Sequence, residues 1–180
     1  MFDRIMFARI GWGDVYEGEE LVGNFSEPKV SGSWWERFNF KRFKGRCYGY
    51  IPPMGKQQFS PRPKNWEDWL VIFAATENGR RDGVLLPVGW YEESTIESDY
   101  QDRPEKGLKQ PYEYILTTEA ANAYLIPKEK RPSFPTIPTE HFKHCFVYAR
   151  SPSHGERWRK VYADLAEKIV SRKRICKRIG

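Results

Sequence analysis

Two apolar runs dominate the middle of this chain: DWLVIFAAT at 68–76 and GVLLPVGWY at 83–91, separated by the polar segment ENGRRD. Both are of strand length, partly β-branched, and the Asn-Gly between them is what a hairpin connection needs. A sheet has to be built around such a pair. Pro87 brings no ladder donor, so the return strand is expected to carry a bulge or to run at an edge. Successive side chains on a strand point to opposite faces, which sets Trp90 and Tyr91 apart. One of them is expected in the core and the other at a pocket rim.

The flanking segments read as follows. MFARIGW (6–12) alternates loosely and predicts a first strand, and the acidic, Gly/Ser-rich stretch 13–33 predicts a long loop. WWERFNFKRF (34–43) alternates again, with Trp34, Phe38 and Phe40 on its apolar side, and predicts a strand. RCYGYIPP (46–53) predicts another, stopped by its prolines, and 55–65 a loop. Residues 97–113 are polar and predict irregular structure. TTEAANAYLIP (117–127), with a capping Thr and two early alanines, predicts a short helix. The proline-rich 128–141 predicts an extended segment, and CFVYARS (145–151) a last strand. In 156–175, Trp158, Val161, Tyr162, Leu165 and Ile169 recur at helical spacing and predict a long amphipathic helix.

The expected fold class is α+β: a small, strongly bent mixed sheet or open barrel with a short helix and a long C-terminal helix. Residues 1–170 are read as one domain and 171–180 as a basic tail or linker toward a possible downstream domain. The chain carries a net charge of +6. Five basic residues and no acid lie in SRKRICKRIG, so residues 1–170 keep only +1. Any nucleic-acid surface on the folded body is therefore a local patch.

Several function classes leave no mark. The cysteines Cys47, Cys145 and Cys176 form no Cys-x-x-Cys pair, and HFKHC (141–145) lacks a fourth ligand at sensible spacing, so no metal or cofactor is expected. There is no nucleophile elbow, zincin helix or phosphate-binding glycine loop. Asp164, Glu167 and Lys168 sit at ordinary surface spacing on the predicted helix, and Glu92 and Glu93 point apart on a strand. A binding module rather than an enzyme is expected. No run is long enough for a membrane span and no signal peptide is visible, so the expected location is the reducing cytoplasm.

Binding has more support. WWERFNFKRFKGR brings Arg37, Lys41, Arg42, Lys44 and Arg46 among Trp34, Trp35, Phe38 and Phe40. Aromatic faces stack on bases, and the cations beside them neutralise phosphates. The turn ENGRRD adds Arg80 and Arg81 to the phosphate-binding candidates.

The hairpin also resembles the core of the YTH, EVE and PUA-like superfamily of nucleic-acid readers. The likeness rests on Leu70-Val71-Ile72-Phe73, the Asn78-Gly79 turn and the returning Val88-Gly89-Trp90-Tyr91. SGSWWERF resembles the Gly-Val-Trp segment that supplies one cage wall in YTH domains. The segments at Phe7–Trp12, Phe38–Phe40, Tyr48–Tyr50 and Val88–Tyr91 resemble prokaryotic modules that give specificity to modification-dependent restriction systems of the McrB type, or to fused HNH nucleases. The likeness covers about half of the chain, and the later Trp-containing loop of eukaryotic YTH domains has no match.

What the resemblance implies is a module that flips a methylated base out of DNA and holds it between aromatic walls. Trp34 or Trp35 would be one wall and Trp90 or Tyr91 another, with Trp12 a third candidate and Asn39 reading the base edge. The implied partners are DNA with a modified base and a downstream AAA+ or nuclease domain or subunit. The alternatives are an RNA-binding PUA-like protein and a small enzyme acting on nucleotides or RNA.

Overall fold

The computed structural model describes residues 2–22, 35–53, 60–80, 82–108, 111–140, 142, 145–151 and 153–180. In chain order its strands are β1 (Ile5–Arg9), β2 (Arg42–Phe43), β3 (Arg46–Gly49), β4 (Trp69–Thr76), β5 (Leu85–Asp102), β6 (Glu113–Glu119), β7 (Ala123–Leu125), β8 (Phe146–Tyr148) and β9 (Lys177–Arg178). The helix α1 spans Glu156–Val170. The protein is α+β, with one mostly antiparallel open sheet in the order β2-β3-β6-β5-β4-β1-β8. Among the described residues only β1 and β4 run parallel, and β7 joins β5 to β9.

The hairpin of β4 and β5 is the spine of this sheet. Its turn is a short 3-10 segment, Glu77–Gly79, with Asn78 at φ 52°, a left-handed value that Asn tolerates better than most residues. Opposite Phe73 and Ala74 stand Gly89 and Pro87, so Val88 is the extra residue of a bulge. Of the two expectations raised by Pro87, a bulge or an edge position, the bulge is present next to it, and β5 lies inside the sheet. The consequence of the bulge is a change of parity: Leu86 and Val88 share a face with Tyr91, while Leu85 shares one with Trp90.

At the centre of this sheet, around β1, β4 and the first part of β5, both faces are buried. All eight residues of β4 are buried, as in strands covered on each side. Met6, Ala8, Val71, Phe73, Tyr91 and Phe40 belong to one core. Phe7, Ile72, Trp90 and Tyr124 belong to the other, closed by Tyr162, Leu165 and Ile169 of α1. Alternation does separate Trp90 from Tyr91, but neither reaches solvent. A second irregularity, where Ser94 and Tyr91 face Trp69 and Val71, lets β5 leave β4 and go on along β6.

Four segments differ from the expectation. Residues 35–38 form a 3-10 turn rather than a strand, leaving only Arg42–Phe43 of that stretch in the sheet. β5 and β6 extend into 97–113, because each satisfies the other's backbone. The short helix expected at 117–127 is instead the end of β6, a 3-10 turn at Ala120–Asn122, and β7. Pairing along β5 outweighs the helix preference of its alanines. The proline-rich segment starts with a 3-10 helix, Lys128–Ser133.

The basic end is not a free tail. After α1, Lys173–Ile175 make a turn and β9 pairs with β7. Ile179 N–H donates to Ala123 O (3.0 Å), and Arg178 Nε donates to Ala121 O (2.6 Å). Among the described residues no helix is long and apolar enough to cross a membrane.

Candidate nucleic-acid interface

A 3-10 segment that contacts the chain leaving β1 at Gly11 carries the group of greatest chemical interest. Glu36, in the 3-10 segment Trp35–Phe38, is only 3% exposed. Its Oε1 accepts a long bond, 3.4 Å, from the Gly11 backbone N–H. No cation pairs with it among the described residues. Burial pushes its carboxyl up to about 7, against the opposing pull of its own and the Gly11 N–H groups. A buried carboxyl without a counter-charge is costly, and this one is neutral below about 7 and ionised above it.

Aromatic rings adjoin it. The half-buried Trp35 packs edge-on against Tyr50, centroids 5.1 Å apart, and Tyr50 leans on Tyr100 at 5.3 Å. Tyr50 directly follows β3, and Tyr100 lies near the far end of β5. The Trp35 indole N–H is buried without an acceptor among the described residues. Burial first, then the negative charge of Glu36, raises the Tyr50 and Cys145 groups. The site therefore gathers a ring platform, an orphan donor and a titratable carboxyl.

The other expected pocket residues are elsewhere. Trp90 is fully buried, stacked on Tyr124 at 5.2 Å, with its N–H donating to Glu92 Oε1 at 3.2 Å. Tyr91 is also fully buried and donates its hydroxyl to Asn39 O. Trp12 is 5% exposed and lies under Arg131. All three rings are core: Trp90 lies on the face covered by α1 and by Phe134, Ile137 and Phe142, while Trp12 and Tyr91 lie in the core on the opposite face with Phe40 and Phe73. Trp34 lies outside the described residues.

Asn39 is likewise structural. Its Nδ2 donates to Tyr50 O at 3.0 Å and its Oδ1 accepts from Tyr50 N–H at 2.8 Å. Each end of the amide is engaged by the Tyr50 backbone and the residue is fully buried, so it presents no edge to a base. The residue that carries free hydrogen-bonding capacity there is Glu36, three positions earlier. A charged residue in a charged strip reads as solvated surface in sequence, so its burial had no signal of its own.

The expected phosphate contacts divide in two. Arg37 donates to the Tyr112 hydroxyl at 3.0 Å, Lys41 pairs with Glu105 at 3.2 Å, Arg46 with Glu119 at 3.8 Å and Arg80 with Asp82 at 3.1 Å. Arg42 and Lys44 stand exposed at the β2–β3 turn without an ion pair among the described residues, while Arg81 lies outside them. His141 and His144 also lie outside, and the described residues hold no cluster of three or more metal-ligating side chains. No known protein family, curated protein or solved structure matches this chain.

Proposed function

We propose that this protein is a nucleic-acid reader with a PUA/EVE/YTH-like fold, which takes one base, flipped from DNA, onto Trp35 and Tyr50 beside Glu36. The observation that carries the reading is Glu36 itself: a buried carboxyl with a long hydrogen bond from Gly11 and no cation paired with it among the described residues, next to a half-buried indole. An enclosed group of this kind is costly to maintain unless a ligand completes it. A stacked base supplies both the apolar face for the rings and an edge for the carboxyl.

The protonation state selects the edge. A neutral carboxyl offers one O–H donor and one acceptor. That pair complements an amino N–H beside a ring-nitrogen acceptor, the edge of adenine and of cytosine. An ionised carboxylate accepts only, and suits the adjacent donors of guanine. With the carboxyl near 7, the site favours an amino-bearing base below neutrality. A methyl group on such a base adds apolar surface that the rings reward, as expected of the specificity module of a modification-dependent restriction system.

The test is a binding titration against duplexes with methylated adenine, methylated or hydroxymethylated cytosine, or no modification, beside single-stranded RNA. Wild type, Trp35→Ala and Glu36→Gln are compared. A preference of tenfold or more (about 1.4 kcal/mol) for one modified duplex, abolished by Trp35→Ala in a folded protein, supports the reader. Equal affinity for all four ligands removes it, and RNA bound better than every duplex moves the protein to the RNA-binding alternative.

A further inference from the structure

At the other end of β1 lies a cleft of about 390 Å³, lined by Arg4, Arg62, Lys64 and Arg150 around a floor that includes Trp69 and Tyr148. A second cavity of about 330 Å³ shares Arg150 and continues along α1 past Arg159 and Lys160. We propose that these joined clefts are a separate nucleic-acid contact, a track for consecutive phosphates of one strand.

Charge is the first reason. The two cavities together present six cations (Arg4, Arg62, Lys64, Arg150, Arg159, Lys160) against the carboxylates of Asp3 and Glu156, a net of +4. Residues 1–170 as a whole carry +1. Of the chain's net +6, residues 171–180, folded against β7, carry +5 and this groove +4, so the remainder carries −3. Four of the six, Arg62, Lys64, Arg159 and Lys160, are exposed and make no ion pair among the described residues. Arg4 and Arg150 are partly offset by Asp68 at 3.5 Å and Asp3 at 4.0 Å. Cations lining a concave surface with few acids beside them focus the field on an anion.

Shape is the second. The first cavity has the size of a small-ligand site and a ring floor, Trp69 against Tyr148 at 5.3 Å. The Trp69 ring is held by its indole N–H, which donates to Asn65 O at 2.8 Å. A single small anion needs one such cavity, whereas a strand with a repeating charge fills two that meet at Arg150. The sugars then lie on the Trp69–Tyr148 floor while Arg62 and Lys64 hold one phosphate and Arg159 and Lys160 a later one. Position is the third: seven residues of chain from Arg4 to Gly11, about 20 Å of extended backbone, separate this track from Glu36. The choice of a polynucleotide rests on the nucleic-acid reading above; the track is a different surface with its own variants.

The experiment measures affinity and its salt dependence for a fluorescent 20-mer duplex and its single strand. The variants are Arg62→Gln/Lys64→Gln, Arg159→Gln/Lys160→Gln, and the charge-matched Lys130→Gln/Lys168→Gln, which alters exposed lysines elsewhere. Pyrophosphate and heparin serve as competitors. Each cleft variant is expected to keep the wild-type melting temperature, bind about tenfold more weakly near 0.1 M salt, and lower the log–log salt slope by about 2. The preference between modified and unmodified duplexes should survive both, whereas Trp35→Ala removes preference and leaves the slope. Failure of the base site and failure of the track are thereby distinguishable. An equal loss in Lys130→Gln/Lys168→Gln, or heparin binding weakened no less than duplex binding by every variant, overturns the track. So does displacement of the 20-mer by micromolar pyrophosphate, which would make the cleft a small-anion site.

Discussion

The guanidinium of Arg131 lies over the indole of Trp12, its central carbon 4.7 Å from the ring centre. The side chain is fully buried, and it donates to the carbonyl oxygens of Ile126 at 3.1 Å, Gly13 at 2.6 Å and Asp14 at 3.0 Å. One planar fork thus ties the turn after β1 to the chain leaving β7. Because the fork cannot be imitated by a point charge, Arg131→Lys is expected to rescue little. Arg131→Met strands three carbonyls and the cation–π contact, and should destabilise by about 3–5 kcal/mol. Urea denaturation followed by tryptophan fluorescence measures both; a loss below about 1 kcal/mol would contradict this role.

Glu36 makes stability depend on pH in an unusual direction. Its carboxyl is raised from 4.5 to about 7 in the folded protein. Between those values the native state binds the proton that the unfolded chain has released, so stability falls as pH rises. The penalty is absent below the unfolded value and complete above about 7, where it is on the order of 3 kcal/mol. The neighbouring titratable groups, Tyr16, Tyr50 and Cys145, are all held above their ordinary values, burial first, and stay neutral through this window. Glu36→Gln should therefore flatten the melting temperature between pH 5 and 8 and exceed wild type at pH 8. A wild-type melting temperature that rises over this range would refute the assignment.

The hairpin and α1 were legible in sequence because their periods, two and 3.6, are carried by large apolar residues. The same alternation misled at 34–43. There Phe38 and Phe40 are buried by a 3-10 turn and a tight return, and the buried polar partners Glu36 and Asn39 give no pattern. Trp90 and Tyr91 were correctly set on opposite faces. What alternation could not show is that α1 and Phe134, Ile137 and Phe142 cover the second face. Trp35 was visible as an aromatic among cations; Glu36 was invisible because burial, not residue type, gives it chemistry.

Asn39 and Tyr50 exchange two hydrogen bonds, at 2.8 and 3.0 Å, and so hold the Trp35–Tyr50 pair in place from behind. Asn39→Ala leaves the Tyr50 N–H and C=O unpaired in a buried setting. The expected loss is about 2–4 kcal/mol, read from the denaturation midpoint. Asn39→Asp keeps one acceptor for the N–H but no donor for the carbonyl, and should also be destabilised. In either variant the folded fraction keeps its ligand preference, since the amide touches no base; an altered preference at unchanged stability would return Asn39 to the binding site.

Beside the Val88 bulge, Gly89 lets β5 pass close to Phe40 and to β7. A Cβ built there would lie 2.4 Å from Phe40 Cζ and 2.5 Å from the Tyr124 carbonyl oxygen. The ring belongs to a cluster with Phe73 and Tyr91, centroids 5.6 Å away in each case, so it has no room to retreat. The carbonyl is set by the pairing of β5 with β7, where Trp90 opposes Tyr124. A methyl at this point must separate the two strands or expel Phe40 from the core. Gly89→Ala should then destabilise by more than about 2 kcal/mol, and the neighbouring Val88→Ala, which only empties space, by about 1–3 kcal/mol. Phe40→Leu in the Gly89→Ala background is expected to recover part of the loss by vacating the ring's edge. Additive losses in that double variant, measured by denaturant titration, would show that the carbonyl of Tyr124, rather than the ring of Phe40, is what excludes a side chain there.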